Sequence, residues 1–136
     1  MEITDLESLK AACRRLGFEF KEGQEKYKWY GHSVGDYPLP EGVTEEELGK
    51  CEHAISVPGA EMGYEIGVVR KGNGFVLRWD FYDDGLKLAL GGESAKVLKQ
   101  AYAVERSKRL LKRQGYNHVH ERALADGSVR LQVEGT

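Results

Sequence analysis

The chain has 136 residues, with 20 Lys and Arg against 22 Asp and Glu for a formal charge of −2, and its pI is near 6.1. That length suffices for one domain that buries about two-thirds of its unfolded surface without disulfides or metal. The balance of charge argues against a dedicated duplex-DNA binder, whose domain is strongly basic, and no apolar run approaches the roughly 18 residues of a membrane span.

A composition of 40% hydrophobic and 31% charged residues is that of a globular protein. The opening Met1-Glu2-Ile3-Thr4-Asp5 has none of the features of a secretion signal. The expectation is therefore a cytoplasmic protein in which Cys13 and Cys51 are reduced thiols. Thr4 or Asp5 can cap a first helix, with Glu7 at capping-box spacing from Thr4. Leu6, Leu9, Ala12, Cys13 and Leu16 then recur at helical spacing, which predicts a helix over Leu6 to Leu16 with Cys13 inside its apolar stripe. Gly17 is the stop.

Phe18-Glu19-Phe20-Lys21 alternates as a short strand, and Tyr27-Lys28-Trp29-Tyr30 resumes an extended pattern. Residues 31–50 hold too many Gly and Pro for a regular element, and read as an acidic loop with one helical turn at Thr44 to Leu48. His53 to Val57 predicts a strand ended by Pro58-Gly59. Tyr64 to Arg70 and Phe75 to Tyr82 predict a hairpin closed by Lys71-Gly72-Asn73-Gly74. Within it Phe75, Leu77, Trp79 and Phe81 alternate onto a core face, and Val76, Arg78, Asp80 and Tyr82 onto an outer one. Asp83-Asp84-Gly85 reads as a turn before a short helix at Leu86 to Leu90.

A long helix follows from Glu93 or Ser94 to Gln114, with a seam of Val97, Leu98, Ala101, Val104, Leu110 and Leu111. Arg106, Lys108, Arg109, Lys112 and Arg113 crowd its end, where cations suit the helix dipole. Gly115 stops it, and a last hairpin turns at Asp126-Gly127-Ser128. Two registers are open there. A three-residue loop with Gly127 left-handed puts Val119 and Ala123 with Val129, Leu131 and Val133 on one face, and Tyr116, His118, His120 and Arg122 on the other. A two-residue Asp-Gly turn gives the other register, with Tyr116 and Leu124 inward.

Four chemistries suggest themselves. Cys51-x-His53 and His118-x-His120 would converge on zinc if their strands were neighbours. No Cys-x-x-Cys pair accompanies them, so the expectation is that Cys51, His53, His118 and His120 hold no metal and that no cofactor is bound. Asp80, Asp83 and Asp84 lie close enough for a cation or an acid-base pair, but Asp-Asp-Gly is ordinary turn chemistry. Gly91-Gly92 before a helix could hold a phosphate, though it lacks the strand and lysine of a P-loop. The fourth is a basic patch of Arg106, Arg109, Arg113, His118, His120, Arg122 and Arg130, able to attract an anionic partner such as a nucleotide or single-stranded RNA. A solvated helix face is the ordinary reading of such a run.

Three blocks carry a family resemblance: Leu6-Glu7-Ser8-Leu9-Lys10-Ala11-Ala12 through Leu16-Gly17-Phe18, Gly63-Tyr64-Glu65-Ile66-Gly67-Val68 with Asn73-Gly74-Phe75, and Gln100-Ala101-Tyr102-Ala103 through Gln114-Gly115-Tyr116 to Asp126-Gly127-Ser128-Val129-Arg130-Leu131. Over about half its length the chain resembles the hypothetical chloroplast reading frame thirty-five family, or domain of unknown function twelve fifty-seven, found in cyanobacteria, plastids, other bacteria and phages. The family's initial strand is absent or shortened in it, and it carries the additional segment at 31–50. The family has no agreed activity, and its genes often lie near an ATPase of the AAA class, so the resemblance implies an accessory role and an AAA-class ATPase as a partner.

The expected fold is a single α+β domain, an antiparallel sheet of five or six strands with two main helices packed on one face. The expected function is a non-catalytic binding or adaptor protein, bacterial or phage-encoded, acting on another protein through a sheet edge or the basic helix end. Sequestration of a small anionic ligand such as a nucleotide is the alternative, and a zinc-dependent protein a second.

Overall fold

A computed structural model describes residues 2–28, 50–60, 63–79, 83–92, 95–116 and 118–134. The chain opens with β1 (Glu2–Ile3) and α1 (Leu6–Leu16), whose stripe of Leu9, Ala12 and Cys13 is fully buried. Gly17 ends α1 at φ +76°, a left-handed conformation that glycine adopts without steric penalty. The cap is Asp5, and the Thr4–Glu7 capping box is not formed: Asp5 accepts from the Ser8 hydroxyl at 2.6 Å, and Glu7 reaches Lys10.

Then come β2 (Glu19–Glu22), β3 (His53–Ser56), β4 (Ile66–Lys71) and β5 (Gly74–Arg78). With β1 they build one antiparallel sheet in the order β1-β5-β4-β3-β2. The expected turn at 44–48 and almost all of the 31–50 loop lie outside the described residues. The β4–β5 hairpin closes on a two-residue turn with Gly72 at φ +60°. Register sets Phe20 beside Ile55, Ile55 beside Ile66, Val68 beside Leu77 and Ile3 beside Phe75. These residues share one face, and it is the core face. Phe75, Leu77 and Trp79 take the core side that their alternation predicts, with only Leu77 buried among them and the other two half-buried. Phe81 lies outside the described residues.

On the opposite face the chain at Tyr27 crosses the sheet over Gly67, where any Cβ would overlap the Tyr27 ring. Glu65 fixes that crossing, accepting from Lys28 N at 2.9 Å, Gln24 Nε2 at 3.0 Å and Lys21 Nζ at 2.9 Å. Burial works against its charged form, but Lys21, the Lys28 amide and Gln24 outweigh it and hold the carboxyl below its ordinary value.

Two helices complete the core side. Asp83-Asp84-Gly85 is not a turn but the start of α2 (Asp84–Leu90). Buried Asp83 caps it, accepting from Leu86 N at 3.1 Å and from Tyr64 N at 3.2 Å. Gly91 and Gly92 close α2, their amides bonding back to Leu88 and Lys87, so they offer no phosphate cradle. The long helix α3 (Lys96–Arg113) starts two or three residues later than expected, after Ala95 in a left-handed conformation at φ +54°. Its buried residues are Leu98, Ala101, Tyr102 and Val104, while Val97 and Leu110 of the expected seam are exposed. Tyr102 takes their place because its hydroxyl has partners, accepting from Thr4 N at 3.0 Å and Asp5 N at 3.1 Å. Among the described residues the final strands, β6 (His118–Ala123) and β7 (Val129–Glu134), pair only with each other, and they lie against α3. The fold is thus α+β, with a five-stranded antiparallel sheet, α1 and α3 as its main helices, and a separate two-stranded hairpin.

Candidate functional site

The C-terminal hairpin takes the three-residue loop. Leu124 N donates to Ser128 O at 2.8 Å, Gly127 N donates to Leu124 O at 3.0 Å, and Gly127 sits at φ +87°. Asp126 secures the turn, its carboxylate accepting from Ser128 N at 3.0 Å and from the Ser128 hydroxyl. Val119 therefore opposes Val133, Glu121 opposes Leu131 and Ala123 opposes Val129 on an inner face. His118, His120, Arg122, Arg130 and Gln132 share the outer one.

Glu121 on the inner face anchors the hairpin. Lys108 of α3 reaches it at 2.7 Å and Arg15 of α1 at 2.7 Å, while Glu105 lies 3.5 Å from both cations. The Lys108 bond, aided by Arg15, overcomes burial and holds the Glu121 carboxyl below its ordinary value. At the far end Gln100 Nε2 donates to Gly127 O at 2.5 Å, so the hairpin is pinned along the length of α3. Glu121 is not among the residues of the expected patch, although an acid alternating with Val119 and Ala123 signals a partner on the inner side.

The seven residues of the predicted patch do not form one surface. Arg109 does not point freely to solvent: its Nε donates to Asp5 at 3.0 Å across the α1–α3 junction. Burial raises the Asp5 pKa, but the Ser8 hydroxyl and Arg109 outweigh it and hold the carboxyl low. Arg106 lies close enough to the Tyr102 hydroxyl to favour its ionised form. Arg113 is exposed at the end of α3. His118, His120, Arg122 and Arg130 do come together, all exposed on the outer face of the hairpin. Arg122 lies directly across from Arg130, and among the described residues neither has an ion-pair partner. Like charges directly opposed on a strand pair destabilise it, so this face is electrostatically incomplete.

The zinc constellation is not assembled. Cys51 and His53 belong to the five-stranded sheet and its approach, His118 and His120 to the separate hairpin. Among the described residues no group of three or more His, Cys, Asp or Glu gathers as a metal site would require. His53 Nδ1 instead accepts from Gly23 N at 3.0 Å, and its ring packs near Phe20 and Phe75. Cys51 Sγ donates to Gln24 O at 3.1 Å. Burial, aided by Glu65, pushes the Cys51 thiol up to about 11, and burial alone pushes Cys13 to about 12. A nucleophilic thiol needs the opposite shift. Asp83 is committed to capping α2, Asp84 is exposed, and Asp80 lies outside the described residues.

No protein-family model, no curated protein and no solved structure matches this chain. Among the described residues no helix is long and apolar enough to cross a membrane.

Proposed function

We propose that this protein is a non-catalytic binding module that holds an acidic segment of a partner protein on the outer face of its C-terminal hairpin. The observation that carries this is the opposition of Arg122 and Arg130, flanked by His118 and His120, on the outer face, whereas Lys108 and Arg15 on the inner side and Arg109 at the α1–α3 junction already have carboxylate partners. An acidic ligand would relieve the repulsion that the bare hairpin retains. From His118 to Arg122 the strand rises about 13 Å. That is longer than a single phosphate, so an extended acidic segment suits the face better than a mononucleotide. The family resemblance is the ground for naming an AAA-class ATPase as the first partner to try.

The test uses oligoglutamate as the probe. Binding should weaken steeply with salt, because the screening length falls from about 10 Å at 0.1 M to about 3 Å at 1 M. Reversing Arg122 and Arg130 together to Glu should abolish it and leave the melting temperature unchanged, since one like-charged pair replaces another. Salt-independent binding, or full affinity in the double reversal, would remove the hairpin face from consideration.

A further inference from the structure

We infer that the protein associates with a second copy of itself through the outer edge of β7, extending the hairpin into a four-stranded sheet across a two-fold axis at Leu131. This rests on the strand edge and stands apart from the anionic-partner reading. The bond from Leu124 N to Ser128 O fixes which residues of the hairpin bond inward. Bonded and non-bonded pairs alternate along an antiparallel ladder, so Arg122–Arg130 and His120–Gln132 are bonded pairs. Val129, Leu131 and Val133 of β7 therefore turn their N–H and C=O groups away from β6. Among the described residues no strand pairs with that edge. An edge of five residues without Pro or a bulge is a template for strand addition.

The sequence along the edge is self-complementary. With Leu131 on the axis, Leu131 meets Leu131 of the second copy, Val129 meets Val133 and Arg130 meets neutral Gln132. Apolar side chains then oppose apolar ones on the inner face, and no like charges are directly opposed on the outer one. The β6 edge fails the same test: centred on Glu121 it sets two carboxylates face to face, and centred on His120 it sets His118 against Arg122. The two-fold runs perpendicular to the sheet, so both α3 helices lie on one side. That side exposes Val133 by 37%, apolar surface at the edge that the second copy covers. Both cationic outer faces lie on the other side, contiguous with each other.

Sedimentation equilibrium of the whole chain decides the matter. We expect twice the 15.3 kDa of one chain at micromolar concentration, with self-association strengthened by salt, because the two Arg130 side chains approach one another. Oligoglutamate binding should respond to salt in the opposite sense. Val133→Pro removes an outward N–H and no bond within the hairpin, and should weaken self-association at least tenfold. Leu131→Cys gives a readout that does not need the proline variant to fold. In a bonded pair the Cα atoms lie about 5.5 Å apart, within disulfide range, so mild oxidation should yield a covalent dimer that wild type, with Cys13 and Cys51, does not form. A monomeric wild type, an unweakened Val133→Pro dimer or an uncrosslinked Leu131→Cys variant would each overturn the inference.

Discussion

Asp83 and Gly67 are the positions where a single side-chain change should be felt most, for opposite reasons. Asp83 is buried and supplies acceptors to the amides of Leu86 and Tyr64. Replacing it with Ala removes a helix cap and strands two amides, a loss of about 2–4 kcal/mol. Asp83→Asn keeps one oxygen and should lose visibly less, and urea unfolding of the two variants gives the comparison. At Gly67 there is no room for a methyl group beneath Tyr27. Gly67→Ala should destabilise by about 1–3 kcal/mol through overpacking. In a Tyr27→Ala background the same change should cost much less, since contacting residues couple. If the two substitutions proved additive, the crossing of the sheet by Tyr27 would be misplaced.

Among the elements, α1, the β4–β5 hairpin and the position of the β6–β7 turn were legible in the sequence because each is decided locally, by spacing and by glycines at positive φ, while the register of β6 on β7 was left open. The seam of α3 was not, since helical periodicity counts apolar side chains and passes over a tyrosine whose hydroxyl is satisfied by distant amides. Asp83-Asp84-Gly85 has the composition of a turn, and only the burial of Asp83 makes it a cap. The split of the basic patch was hidden for a similar reason: the acids that hold Arg109 and Lys108 lie 104 and 13 residues away. Those acids also give the junctions a pH dependence. Asp5 and Glu121 are held below their ordinary values of 3.8 and 4.5 in the folded state. Their contribution is present above those values and lost as pH falls through the lower folded ones. The melting temperature should therefore drop on acidification below about pH 4.5, and Glu121→Gln should make that acid limb shallower. At neutral pH the same variant should lose no more than about 1 kcal/mol, as its ion pairs are partly solvent-screened. An acid limb identical to wild type would show that Glu121 does not anchor the hairpin.

At the scale of the whole molecule, the five-stranded sheet and its helices form the structural body, and the hairpin is an appendage fastened by α3. Reversal of Arg122 and Arg130 should accordingly leave the sheet's hydrogen-exchange protection untouched while changing what the hairpin binds. The bond of the Tyr102 hydroxyl to the amides of Thr4 and Asp5, residues 97 and 98 positions away, has a consequence for how the chain is made. Synthesis proceeds from the N-terminus at about 5–20 residues per second, so α1 is finished several seconds before the residue that docks its first turn exists. During that interval the apolar stripe of Leu9, Ala12 and Cys13 has no α3 to cover it. A stalled nascent chain exposing residues up to 95 should remain sensitive to protease and hold chaperone, and one exposing residues up to 116 should become resistant, because only then can the first helix and the last settle together.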